Sequence, residues 1–85
     1  MMYQRIRILE NVDVGVVRVF QCFFNIKTQE YAVQSLDYFY LDDNMETQEI
    51  SSNSRLMELF SEQSPIDRSG GHKTIEEAIN SFINL

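Results

Sequence analysis

The run from Val14 to Leu41, VGVVRVFQCFFNIKTQEYAVQSLDYFYL, leaves this chain few folds to choose from. It is dense in Val, Phe and Tyr, residues whose branched or aromatic side chains suit a pleated surface, and it is interrupted once by the polar stretch Asn25 to Glu30. Two long strands joined by a turn are the expected result. A four-residue loop, Ile26 to Gln29, is favoured over a two-residue one because Lys-Thr is a poor type I′ sequence.

With Asn25 facing Glu30, cross-strand partners have residue numbers that sum to 55. This register sets Arg18 opposite Asp37, the only charges within the arms, and lays Tyr40 over Gly15. A slip of one residue would exchange the two faces of one strand, so the matched charges argue for a straight ladder. One face then carries Val16, Phe20, Phe24, Val33 and Phe39, and the other carries Val17, Val19, Phe23, Leu36, Tyr38 and Tyr40.

Upstream, Tyr3 to Leu9 alternates Ile6 and Ile8 with Arg5 and Arg7, the period of a strand with one buried face. Downstream, Asp42-Asp43-Asn44 reads as a turn and Met45 to Ile50 as a short polar edge strand. A short helix is expected over Arg55 to Glu62, ended by Ser64-Pro65, and Ser69-Gly70-Gly71 reads as a flexible loop. Thr74-Ile75-Glu76-Glu77 is a capping box opening a helix to Leu85, with Ile75, Ala78, Ile79, Phe82 and Ile83 on one stripe. The expected architecture is α+β, one domain over residues 1–85. It comprises a three- to four-stranded antiparallel β-meander followed by two C-terminal helices packed mainly on one sheet face.

Charge and cysteine content narrow the chemistry. The net charge of −6 falls entirely in the second half, since residues 1–41 balance four basic against four acidic groups. Nucleic acid is therefore a disfavoured partner and a basic protein a favoured one. A single cysteine, Cys22, and an N-terminal stretch with arginines where a signal would be apolar lead to an expected cytoplasmic location, and no run is apolar enough for a membrane span.

No catalytic, metal or cofactor constellation is expected. Asp42, Asn44 and Glu46 imitate the start of a calcium loop, but Thr47 and Asn53 occupy the positions that require glycine and a bidentate glutamate. Gly70-Gly71-His72-Lys73-Thr74 lacks the glycine spacing of a phosphate-binding loop. Cys22, mid-strand among apolar neighbours, reads as a small hydrophobe. What stands out is supply: two modest helices cover one sheet face, which leaves the other, bearing Arg5, Arg7, Val17, Val19, Phe23, Leu36, Tyr38 and Tyr40, for a partner. The expectation is a non-enzymatic protein-binding or regulatory module, either a homodimer or one that captures another protein. The alternative is single-stranded nucleic-acid binding through Arg5, Arg7, Tyr38 and Tyr40.

Overall fold

In the computed structural model, which describes residues 2–84, three antiparallel strands form one sheet, followed by helices. Strand β1 spans Tyr3–Asp13, β2 Val16–Asn25 and β3 Glu30–Tyr40, in the spatial order β1-β2-β3. Helix α1 runs Met45–Glu62, α2 Pro65–Ser69 and α3 Ile75–Ile83. The α+β class and the antiparallel meander are as expected; the placement of the helices is not.

Both hairpin turns follow from local chemistry. Val14 and Gly15 join β1 to β2, and Gly15 takes φ +74°, a value that a Cβ would make costly. It thus sits in the turn and not beneath Tyr40 as a strand glycine. Ile26 to Gln29 form the four-residue loop between β2 and β3. There Asn25 Oδ1 accepts from the backbone of Lys27 and Thr28, each at 3.0 Å, an Asx turn that holds the bend.

The straight ladder holds only near that loop. Phe24 pairs with Tyr31, Phe23 with Ala32 and Cys22 with Val33, but the register then shifts between Gln21 and Cys22 so that Gln21 meets Ser35. Gln34 is the extra residue of a β-bulge. Beyond it every partner moves by one: Arg18 faces Tyr38, not Asp37, and Val19 faces Asp37. Leu36, Tyr38 and Tyr40 therefore share a face with Phe20 and Cys22, whereas Ser35, Asp37 and Phe39 join Val17, Val19, Gln21 and Phe23.

The polar segment after Leu41 is not an edge strand but the first half of α1, started by Asn44, whose side chain accepts from the Thr47 amide at 3.0 Å. Its docking stripe is Gln48, Ser52, Leu56, Leu59 and Phe60, polar at one end and apolar at the other. That stripe lies over the face carrying Gln21 and Phe23. Arg5 donates to Asn53, Arg7 to Glu49, and Phe60 closes on Phe23 and Tyr3 at ring separations of 5.0 and 5.6 Å.

The chain then passes the outer edge of β3. Ser64 caps α2 through its hydroxyl, Gly70 ends it with φ +79°, and Tyr31 and His72 exchange backbone bonds of 2.7 and 2.8 Å. The segment that reads as a loose loop is thus tied to the sheet. Helix α3, begun by Thr74 Oγ1 accepting from the Glu77 amide, lands on the opposite face. Ala78, with Ile75, Ile79 and Phe82, packs there on Phe20, Cys22, Val33, Ile6, Ile8, Tyr31 and Leu36. The helices therefore divide between the two faces, because the chain wraps around the β3 edge after α1.

Candidate functional site

Placing the expected partner-binding residues on this fold separates them. Arg5, Arg7, Val17, Val19 and Phe23 belong to the face that α1 occupies, with Val19 and Phe23 buried. Leu36, Tyr38 and Tyr40 belong to the other face, put there by the bulge at Gln34. The eight do not form one patch, and the pairing of Arg5 and Arg7 with Tyr38 and Tyr40 is not assembled on one surface.

Two features take their place. The first is a buried polar network under α1 that sequence patterning did not reveal. Ser52 Oγ donates to Asp37 Oδ2 at 2.6 Å, Gln21 Nε2 donates to the same oxygen and to Ser52 Oγ at 3.1 Å, and Arg55 ion-pairs with the other carboxylate oxygen. Arg7 extends the chain, its Nε donating to Gln21 Oε1 at 3.4 Å while its Nη1 lies 2.8 Å from Glu49. An open cleft of about 410 Å³ borders the network, lined by Asp37, Gln48, Ser51, Ser52 and Arg55 among others. Asp37, Gln48, Ser52 and Arg55 each already hold a partner from their own chain. Ser52 gives its proton to a carboxylate that is itself held by an arginine, so the hydroxyl stands beside no available base. The arrangement fastens α1 to the sheet.

The second feature is the part of the opposite face beyond α3. A nine-residue helix is roughly 14 Å long, whereas the 11 residues of β3 extend about 36 Å, so α3 can cover only the end nearest the Asn25 loop. The far end shows Tyr38 and Tyr40, 45% and 46% exposed, beside Val16 and Arg18. The hairpin tip adds Val12 and Val14, the latter 97% exposed, and Leu41 follows at the end of β3. Arg18 lies over the Phe20 ring at 5.1 Å and ion-pairs with Glu10. The Tyr38 hydroxyl, then Glu10, hold its guanidinium charged beyond the usual range, against the pull of burial. A positive charge is thereby fixed among aromatic and aliphatic side chains.

No family model, curated protein or solved structure matches the chain. Among the described residues no group of three or more His, Cys, Asp or Glu side chains could hold a metal ion, and no helix is long and apolar enough to cross a membrane.

Cys22, fully enclosed between β1, β3 and α3, has its thiol pushed up to about 12 by burial. Its pKa is therefore higher folded than unfolded. Below about pH 8 both states keep the proton and Cys22 adds little pH dependence. As pH rises towards 12 the unfolded thiol ionises first, and stability should fall by at most about 1.4 kcal/mol per pH unit on this account. Denaturant titrations of the native protein and of Cys22→Ala between pH 8 and 11 check this; equal slopes in the two would refute it.

Proposed function

We propose that the chain is a small non-enzymatic module that binds another protein through the sheet end beyond α3. The observation that carries this reading is the pair Tyr38 and Tyr40, adjacent on one face and nearly half exposed, flanked by Val16, Leu41 and the Val12–Val14 tip. Tyrosine with arginine and a few aliphatic side chains is the composition enriched at protein interfaces, and a tyrosine orders on binding at low entropic cost. The acidic second half of the molecule favours a partner with basic groups around its contact surface, since rim charges steer encounter and orientation more than they set affinity.

Replacing Tyr38 and Tyr40 together by lysine tests the reading. Tyr40 is substantially exposed and its change should shift melting little, within about 0.5 kcal/mol, whereas the change at Tyr38 sets a lysine opposite Arg18 and should cost about 1 kcal/mol while leaving the chain folded. Binding to a partner captured by the native protein should fall at least tenfold, measured by calorimetry. Undiminished binding by the folded double variant would place the interface elsewhere.

A further inference from the structure

We infer that α3 is a strap that opens as one unit while α1 and the sheet stay folded, baring the face that carries Phe20, Cys22 and Val33. The two covers of the sheet are fastened by different means. Helix α1 holds its face by polar bonds along most of its length. Gln48 accepts from the Tyr40 amide at 2.8 Å and donates to the Tyr40 carbonyl at 2.9 Å, Ser52 and Arg55 hold Asp37, and the Leu56 carbonyl accepts from Gln34 Nε2 at 3.1 Å. The polar bonds of α3 stay within its own segment, from the Thr74 cap to Asn84. Among the described residues no ion pair or hydrogen bond joins Ile75–Ile83 to a strand.

Apolar contact alone therefore retains α3, and that contact is shallow. Ala78 is the buried residue of the helix, Ile75, Ile79 and Phe82 are partly covered, and Ile83 is 48% exposed. Nine residues are too few for a helix to persist undocked in water, where even about 12 to 15 are marginal. Undocking and melting are consequently a single event, which makes the strap two-state. Its root is fixed, because the backbone exchange between Tyr31 and His72 ties the chain to the β3 edge just before Lys73 and Thr74. Release begins beyond that tie, so α2 stays in place.

The opposite core does not depend on α3. Val19, Phe23, Phe39 and Leu56 are buried on the α1 side, separate from the cluster that α3 covers. Three strands with a helix packed on one face meet the requirement for a small sheet to hold together unaided. What opening bares is continuous with surface already exposed, since Leu36, packed against the covered cluster, precedes Tyr38 on the same face of β3. The strap thus sets how far the exposed apolar face extends along the sheet, whatever Tyr38 and Tyr40 themselves bind.

Cys22 lies under the strap and reports on it. Native protein mixed with an aromatic disulfide reagent at low denaturant should label at Cys22 at least about tenfold faster than its globally unfolded fraction permits. The denaturant slope of labelling should be smaller than that of full unfolding but above zero. Ser52→Ala weakens α1 equally in the closed and opened states. It should raise the unfolded population about tenfold yet change Cys22 labelling by less than about twofold. Amide exchange on the native protein gives a check without a reagent: Ala78 to Phe82 should exchange faster than Arg55 to Leu59. Labelling that follows global unfolding, or that shows no denaturant dependence, would overturn the inference. So would labelling that rises with the unfolded population in Ser52→Ala, or α3 amides protected as well as those of α1.

Discussion

Phe20→Ala should abolish cooperative unfolding at room temperature or bring it to the edge of detection. The ring is 2% exposed and sits where α3 meets all three strands, against Cys22, Val33 and Ala78 with Ile8 and Leu36 around them. Truncating such a ring costs about 3 to 5 kcal/mol, the lost transfer energy plus the cavity left behind. For 85 residues the whole stability is roughly 4 to 13 kcal/mol, so this one change removes much of it. Circular dichroism melts and urea titrations read the effect directly. A loss below about 1 kcal/mol would mean that α3 is not the cover of that face.

Asp37→Ala should be nearly as damaging, for a different reason. The substitution removes an acceptor but leaves its donors in place: Gln21 and Ser52 stay buried without it, and Arg55 loses its counter-charge. Stranding buried donors costs about 1 to 3 kcal/mol apiece, which gives an expected loss of about 3 kcal/mol after relaxation of the half-exposed arginine. In Gln21→Leu/Ser52→Ala the two stranded donors are absent. Adding Asp37→Ala to that background should therefore cost clearly less than in the native chain. Equal costs in both backgrounds would show that the network is not coupled.

The contrast between these two sites explains which parts of the fold can be read from the sequence. The strands, the four-residue loop and the Thr74 cap are legible because each rests on a local preference. The α3 stripe is apolar throughout, so periodicity finds it. Helix α1 escapes the same test because Gln48 and Ser52 occupy inward positions where an apolar residue is expected. Hydrophobic pattern cannot register a helix that docks partly by hydrogen bonds to Gln21 and Asp37. The register failed at Gln34 because a bulge alters no composition. The Arg18–Asp37 match that argued for a straight ladder was coincidental: Glu10 on β1 and Arg55 on α1 supply those two charges with their real partners. The partner surface was misassembled for the same reason. Three of its eight residues lie beyond the bulge, and the polar helix that covers the other five could not be seen. The tyrosine pair itself was legible, since exposure of Tyr38 and Tyr40 follows from α3 being short.

The two faces of the sheet also differ in how they respond to temperature. Helix α3 is held by apolar burial, a force that is largely entropic near room temperature and weakens on cooling. The first half of α1 is held by Asp37, Ser52, Gln21, Arg7 and Glu49, where hydrogen bonds and charge dominate and burial of polar surface carries the opposite sign of heat capacity. Cooling therefore loosens α3 relative to the start of α1.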